Sequence, residues 1–199
     1  MPDPRSEPDP TPAAGTPVPP APSATLLLDS AAIDRILRRI AHEIIERNPD
    51  LDRVVLVGIP SRGVEVARRI AGLIRSFEGR EVQTGVIDVS MHRDDLRLRQ
   101  RLLPVMPSRL PGNLDDLTLV LVDDVLYSGR TCRAAMDAIS SFGRPARIQY
   151  AVLVDRGHRE LPIRADYVGK NIPTAPGDRV YVRFNAVDGV PDAVWISKP

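Results

Sequence analysis

Two adjacent aspartates follow an apolar run in the segment LVLVDDVLYSGRT, residues 119–131. Asp123 and Asp124 supply carboxylate oxygens, which accept hydrogen bonds from hydroxyl groups or bind a hydrated Mg²⁺. Ser128 and Gly129 follow where a helix is predicted to begin, and the free N–H groups of a helix N-terminus bind phosphate. Two acceptors beside a phosphate cradle predict a sugar-phosphate ligand. The alternative is that the aspartates only end a strand and cap a helix, which is the commoner case for an isolated pair.

Two other nucleotide-binding motifs are incomplete in this chain. Gly58 and Gly63 have the spacing of a P-loop, but Val64 and Glu65 follow where a P-loop requires Lys and then Ser or Thr. The glycine fingerprint of dinucleotide-binding proteins does not occur either. Nucleoside triphosphatase and dinucleotide-dependent functions therefore lose their main support.

Strand and helix patterns alternate along most of the chain. Short β-branched runs predict strands, and apolar residues three and four apart predict amphipathic helices. Strands are predicted at residues 53–58, 81–90, 117–124 and 147–155, and helices at 30–47, capped by Ser30, 63–77 and 128–143. This alternation predicts an α/β fold with a parallel sheet covered by helices on both faces. Residues 123–131 then lie at the carboxyl ends of the strands, where such folds bind ligands.

The composition is that of a globular protein with a distinct N-terminal segment. Apolar residues make up 43% of the 199 residues, and no apolar run reaches the ~18 residues that span a bilayer. Nine of the first 22 residues are proline, so we predict a disordered tail at residues 1–24 and one domain at 25–199. The single cysteine, Cys132, allows no intrachain disulfide, so we expect a reducing, cytoplasmic setting and a packing role for its thiol.

Several motifs together resemble those of one enzyme family. VLVDDVLYSGRT resembles the loop of type I phosphoribosyltransferases that binds phosphoribosyl pyrophosphate (PRPP), and GIPSRGV (58–64) resembles their pyrophosphate loop. Residues 39–48, 92–96 and 143–174 are similar to a subgroup that regulates pyrimidine operons and is also a uracil phosphoribosyltransferase. The resemblance covers residues 25–199. It implies a parallel sheet flanked by helices, with a small hood and a mobile loop.

The resemblance also implies a role for individual residues. Asp123 and Asp124 would accept the ribose hydroxyls, and Arg93 of the mobile loop would close over the leaving group. The other substrate-binding residues would be Ser61, Arg62, Val122, Val125, Leu126, Tyr127, Ser128, Gly129, Arg130, Thr131, Arg156 and Val180. Within this set, Ser61 and Arg62 would bind pyrophosphate, and Arg156 and Val180 would line a uracil pocket. Mg²⁺ is expected with PRPP and pyrophosphate, and no direct protein ligand to the metal is predicted.

The residue at position 127 bears on the acceptor base. Purine phosphoribosyltransferases carry an acidic residue where Tyr127 stands, and that residue handles a proton on the purine ring. Tyrosine cannot replace a carboxylate at neutral pH, because its reference pKa is ~10. The resemblance therefore implies a pyrimidine acceptor, with uracil and PRPP giving UMP and pyrophosphate.

The first predicted helix carries a basic stripe. Four of its side chains fall at positions i, i+3, i+4 and i+7, roughly opposite its isoleucines. The net charge of the chain is only +1, and a solvated helix can show such a stripe without binding anything. The resemblance implies an RNA-binding surface that comprises Arg35, Arg38, Arg39, His42, Arg159, Arg164 and Lys170.

The expected function is therefore twofold. We expect a regulator that binds pyrimidine-operon leader mRNA in response to UMP or UTP, acts as a homodimer or larger homo-oligomer, and makes UMP. Two alternatives stay open: a nucleotide sensor with little catalysis, and a salvage enzyme that does not bind RNA. Because Arg38 and Arg159 lie outside residues 119–131, we expect charge reversal at both to abolish RNA binding and spare catalysis.

Overall fold

The computed structural model describes residues 19–21, 23–90 and 107–199. The predicted loop residue Arg93 and most of the predicted tail lie outside these ranges. Along the chain the elements are β1 (Ala24–Asp29), α1 (Ser30–Arg47), a 3-10 turn (Leu51–Arg53), β2 (Val54–Gly58), α2 (Arg62–Glu78), β3 (Gln83–Val86), β4 (Thr118–Leu126), α3 (Arg130–Ser140), β5 (Arg147–Asp155), β6 (Tyr167–Asn171), β7 (Arg179–Arg183), α4 (Asn185–Asp188) and β8 (Ala193–Ser197).

The central sheet is parallel and has five strands in the order β3-β2-β4-β5-β6. Successive residues of β4 face opposite sides of this sheet. Val120 and Val122 pack into the core formed with α1 and α2, whereas Leu119 and Leu121 pack into the core formed with α3. The predicted α/β fold with helices on both faces is confirmed, and β4 lies at its centre.

A second, antiparallel sheet of order β1-β8-β7 forms, together with α4, the part that we call the hood. Its first strand begins at Ala24, and the Ser23 and Ser197 hydroxyl oxygens lie 2.9 Å apart. β1 therefore begins at residue 24, one residue before the start of the domain predicted at 25–199.

Two local predictions need correction. The helix N-cap is Asp29 rather than Ser30, since the Asp29 carboxylate accepts the Ala32 N–H at 2.7 Å. The strand predicted at residues 81–90 is shorter and covers Gln83–Val86, because only these residues pair with β2. In the described part of the chain, no helix is long and apolar enough to cross a membrane.

The packing of α1 on the edge strand β6 depends on a glycine, Gly169, which has no side chain. A Cβ atom at Gly169 would lie 2.3 Å from the Leu153 carbonyl oxygen and 2.6 Å from Cγ2 of Ile36 in α1. Both distances are too short for contact, so the helix and the strands meet as closely as they do only with glycine at this position.

We predict opposite effects for two glycine-to-alanine substitutions. Gly169→Ala should lower the free energy of unfolding by about 1–3 kcal/mol, because β6 and α1 must move apart. Gly72→Ala should raise it by about 0.5–1 kcal/mol, since alanine is the better helix former and nothing lies near that Cβ position in α2. Urea unfolding of both variants provides the measurement, and equal changes in the two would contradict this account of the packing.

Candidate functional site

The loops that follow β2 and β4 meet at the carboxyl ends of the central strands. The N–H group of Ile59 donates to the Val122 carbonyl at 2.9 Å. A Cβ atom at Gly63 would lie 2.4 Å from the same oxygen, so only glycine lets the first turn of α2 approach β4 this closely. The pyrophosphate loop predicted at residues 58–64 therefore packs directly on the strand that carries the two aspartates.

Asp123 is the more buried member of the aspartate pair, with 6% of its surface exposed. Its carboxylate accepts the Tyr150 hydroxyl at 3.3 Å and the Asp124 backbone N–H at 2.9 Å. Burial, followed by the neighbouring Asp124 charge, raises the pKa of Asp123 well above its usual range. Burial also raises the pKa of Tyr150, which keeps its hydroxyl protonated as a donor.

Asp124 is half-buried, and one of its oxygens accepts the Val125 N–H at 2.9 Å. The pair thus presents one carboxylate at the surface and one that is poorly solvated and has two donors. A carboxylate has room for about four hydrogen bonds, so such a site favours a ligand that brings additional hydroxyl donors.

The residues after β4 form the predicted phosphate cradle. Gly129 has φ +92°, a conformation that favours glycine, and it immediately precedes α3. The N-cap residue Gly129 has no side chain to cap α3, and the Arg130 N–H donates to the Ser128 hydroxyl oxygen in a long hydrogen bond of 3.4 Å. A phosphate at the start of this helix would therefore compete with one long hydrogen bond to a serine hydroxyl rather than with a short N-cap bond.

Arg159 holds the phosphate cradle from outside. Its guanidinium donates to the Tyr127 carbonyl at 2.7 Å and to the Ile163 carbonyl at 3.0 Å, and it forms an ion pair with Asp155. Arg159 lies outside residues 119–131, but its side chain contacts the Tyr127 carbonyl within them. The expectation that charge reversal at Arg159 would spare catalysis therefore stays a prediction, with a contact to the loop beside it. Arg159 is therefore a less suitable position for testing the RNA-binding surface, because its substitution would also remove contacts to the loop.

Arg156 and Tyr127 form one wall of the site. The Arg156 guanidinium carbon lies 4.4 Å from the centre of the Tyr127 ring, and its Nη2 donates to the Asp178 carbonyl at 2.8 Å. Nε of Arg156 is buried and has no hydrogen-bond partner among the described residues. Asp178 lies two residues before Val180, so the start of β7 is brought towards this wall.

The two predicted pyrophosphate ligands lie at the start of α2. Ser61 is exposed and occupies the N-cap position without making a capping bond. Arg62 is the first residue of the helix and forms two hydrogen bonds to Asp188 of the hood, at 2.5 and 3.2 Å. Sequence reasoning missed Asp188, because nothing in its local pattern connects it to residue 62.

The other predicted substrate-binding residues differ in how much of their side chain is exposed. The side chains of Val122 and Leu126 are buried in the two cores, so only their backbone can contact a ligand. Val125 packs partly against the core, and Thr131 is half-buried in the first turn of α3. Arg130 is exposed, and its Nε donates to Glu160 at 2.7 Å.

Two further side chains lie near the aspartates. Tyr150 was not predicted as a site residue, although a tyrosine beside the apolar run of β5 signals a buried hydroxyl that needs a partner. Cys132 is buried, and burial followed by the charges of Asp123 and Asp166 raises the pKa of its thiol to about 12. Such a thiol stays protonated, which agrees with the predicted packing role. Among the described residues, no group of three or more His, Cys, Asp or Glu side chains could hold a metal ion.

The basic stripe lies on the exposed face of α1, as predicted. Arg39 donates to the Gly169 carbonyl at 2.6 Å and to Glu43, and the His42 ring stacks on Phe77 of α2 with ring centres 4.2 Å apart. Arg38 lines a groove of about 390 Å³ between α1 and α2. These contacts leave Arg35 and Arg38 as the more suitable positions for testing this surface.

The two remaining basic residues of the predicted RNA-binding surface lie outside α1. Arg164 is exposed in the segment before β6. Lys170 lies in β6 next to Gly169, whose Cβ position faces α1. Because side chains alternate along a strand, Lys170 projects from the sheet face opposite α1.

Comparison with known proteins agrees with this arrangement. The phosphoribosyl transferase domain family matches residues 23–183. The hypoxanthine phosphoribosyltransferase of Trypanosoma cruzi superposes with a TM-score of 0.66 at 18% identity, over 88% of this chain and 97% of that one. The Staphylococcus aureus enzyme of the same name gives 0.64 at 18% identity, over 87% and 91%. These likenesses place the fold in the class of phosphoribosyltransferases.

Relatives with higher sequence identity point to one group within the phosphoribosyltransferases. The bifunctional protein PyrR of Chloroflexus aurantiacus is 57% identical over 168 residues, which cover 84% of this chain and 92% of the relative. PyrR of Leifsonia xyli is 53% identical over 178 residues, covering 87% and 96%. The chain therefore belongs to the phosphoribosyltransferase family and, within it, to the PyrR proteins.

The raised pKa of Asp123 generates a prediction about stability. An acid whose pKa is raised on folding costs no stability below its unfolded pKa, and the cost grows as pH rises towards its folded pKa. Asp123→Asn removes this cost, and asparagine can still face Tyr150. We expect the variant to melt at a higher temperature than the wild type at about pH 8 and at the same temperature near about pH 3.

Thermal unfolding at both pH values checks this prediction. Asp52→Asn is the control, because Asp52 is exposed and its ion pair with Arg80 spans 4.0 Å. A lower melting temperature for Asp123→Asn at about pH 8 would mean that the carboxylate stabilises the fold.

Proposed function

We propose that this chain converts uracil and PRPP to UMP and pyrophosphate, and that the same nucleotide site controls its binding to pyrimidine-operon leader mRNA. The observation that carries the proposal is the aspartate pair beside the N-terminus of α3, whose N-cap residue is a glycine, in a chain that is 57% identical to a bifunctional PyrR. The single buried cysteine supports a reducing, cytoplasmic setting, and resemblance supports a homodimer or larger homo-oligomer.

The proposed reaction is a displacement at C1 of the ribose. N1 of uracil forms a bond to C1 as the bond to pyrophosphate breaks, and the uracil proton leaves to solvent. Asp123 and Asp124 accept the ribose hydroxyls, and residues Ser128 to Thr131 bind the 5′-phosphate. The protein acts by positioning the two reactants and by stabilising the charge that develops on pyrophosphate.

The leaving group is assigned to the pyrophosphate loop. Ser61 and Arg62 lie at the positive end of α2, where negative charge is favoured. Arg93 is proposed to close over this group and exclude water, although it lies outside the described residues.

Phosphoribosyltransferases of this fold generally use Mg²⁺ together with PRPP, and the donor set fits such use. Mg²⁺ binds one or two carboxylates and takes its other ligands from phosphates and water. Asp124 offers a half-exposed carboxylate beside the phosphate cradle. The ion would neutralise charge on the pyrophosphate, and we assign it mainly to substrate oxygens.

The base site is assigned to the wall formed by Arg156 and Tyr127, near the start of β7 with Val180. No carboxylate stands at position 127 to handle a proton of a purine ring. The cationic Arg156 is fixed by the Asp178 carbonyl and the tyrosine ring, so it can face a carbonyl oxygen of uracil.

We predict that Asp124→Asn lowers uracil phosphoribosyltransferase activity at least ~100-fold, near ~2.7 kcal/mol of transition-state stabilisation. Asp115→Asn is the control, because Asp115 is exposed and precedes β4. The wild type should use uracil and not hypoxanthine as acceptor. Full activity of Asp124→Asn would remove this residue from the site, and comparable rates with hypoxanthine would overturn the assignment of a pyrimidine acceptor.

We predict that Arg35→Glu combined with Arg38→Glu weakens binding to a pyrimidine-operon leader RNA at least ~10-fold and leaves UMP synthesis within a few-fold, because lost phosphate contacts lower affinity without touching the catalytic loops. The control is Arg75→Glu, a charge reversal on the exposed side of α2. The measurement is a filter-binding titration with and without UMP, beside an enzyme assay on the same preparation. Unchanged affinity for the RNA would mean that the basic stripe is a solvated helix face that does not bind RNA.

A further inference from the structure

Asp188 of α4 joins the hood to the pyrophosphate loop. Its carboxylate, 9% exposed, accepts four hydrogen bonds: two from Arg62, one from Arg183 at 2.8 Å and one from the Phe184 N–H at 2.9 Å. Burial alone would raise the pKa of Asp188, but the hydrogen bonds from Arg62, Phe184 and Arg183 outweigh it and lower the pKa. The group is therefore an anchored carboxylate ion.

The charges in this cluster do not balance. Two guanidinium groups, from Arg62 and Arg183, share one carboxylate, which leaves a net charge of +1. Both donate to the same oxygen, Oδ1 of Asp188, so the two cations lie side by side. Their side chains are 28% and 35% exposed. A pair of adjacent, partly exposed cations with one counter-ion favours an anion that carries several charges.

The orientation of Arg62 leaves donors for such an anion. Its Nε and Nη2 face Asp188, so the two N–H groups of Nη1 point away from the carboxylate. Arg62 also begins α2, whose N-terminus has no side-chain cap. Arg183 comes from β7, the strand that holds Val180, and so brings the base side of the site next to the pyrophosphate side.

We propose that Asp188 is a positioning residue that orients Arg62, and that Arg183 is a further binding residue for pyrophosphate, so that the hood completes the pyrophosphate site. This inference rests on the proposed function, in which Arg62 binds the leaving group. In this inference the hood binds the leaving group through Arg183, in addition to lining the base site through Val180.

The hood contains a second carboxylate that serves as a matched control. Asp192, 8% exposed, forms an ion pair with Arg69 of α2 and accepts the Asn185 N–H at 2.8 Å. Arg69 is one helical turn and more beyond the pyrophosphate loop, and it lies over the Phe184 ring at 4.9 Å. Asp192 therefore fastens the hood to the same helix without contacting a predicted ligand of the leaving group.

The test compares the steady-state kinetics of five variants: two that test the proposal, two controls and Arg62→Ala. Asp188→Asn and Arg183→Gln should each raise the inhibition constant of pyrophosphate and the KM for PRPP about tenfold, as expected for one charge-assisted hydrogen bond, with KM for uracil within twofold. Asp192→Asn and Arg179→Gln, which removes an exposed charge from the same strand, should leave both constants unchanged.

Two outcomes would overturn the inference. Equal effects of Asp188→Asn and Asp192→Asn on these constants would make both carboxylates merely structural, and an unchanged pyrophosphate constant in Arg183→Gln would remove Arg183 from the site. Arg183→Gln keeps the bond between Arg62 and Asp188, so it remains informative if Asp188→Asn does not fold. Arg62→Ala distinguishes failure of this inference from failure of the proposed function. If Arg62→Ala changes the pyrophosphate constant and Asp188→Asn does not, the role of Asp188 is wrong and the proposed function stands. If Arg62→Ala has no effect, Arg62 does not bind the leaving group.

Discussion

The carboxylate of Asp123 is buried at the end of the central strand β4, where its charge is poorly solvated. The central position of β4 holds it there, because β5 pairs with Asp123 itself and β2 pairs with β4 up to the preceding Val122. The Tyr150 hydroxyl and the Asp124 N–H stabilise the charge in part. The protein thus maintains a hydrogen-bond acceptor that a ribose, with its vicinal hydroxyls, can satisfy better than the protein does.

The surrounding loops are held by contacts distant in sequence. Gly63 lets the pyrophosphate loop rest on the backbone of β4, and Arg159 fastens the Tyr127 carbonyl from the segment after β5. Asp188 ties Arg62 to the hood. In the proposed function, the contacts of Gly63 and Asp188 position the loop for the leaving group, and the contact of Arg159 positions the loop for the 5′-phosphate. Positioning of this kind is what a displacement at C1 requires, because the protein supplies no covalent chemistry.

Sequence patterns predicted the central sheet well because its strands are apolar on both faces and its helices have a clear period. The hood strands β7 and β8 and the edge strand β6 of the central sheet were not located, since each has only five residues. The phosphate cradle was predicted because its residues are adjacent in sequence. The hydrogen bond from Arg159 to the Tyr127 carbonyl joins residues 32 apart in sequence, and the bond from Arg62 to Asp188 joins residues 126 apart. Contacts at such separations depend on topology and leave no local pattern.

The central claim is that Asp123 is an under-solvated carboxylate which ribose hydroxyls satisfy. The most direct measurement is the pH titration of the Asp123 carboxyl carbon by NMR, in the free protein and with UMP bound. The account predicts a pKa above the ordinary range in the free protein and a lower pKa in the complex, because hydroxyl donors favour the charged form. An ordinary pKa in the free protein, or one that UMP leaves unchanged, would contradict it.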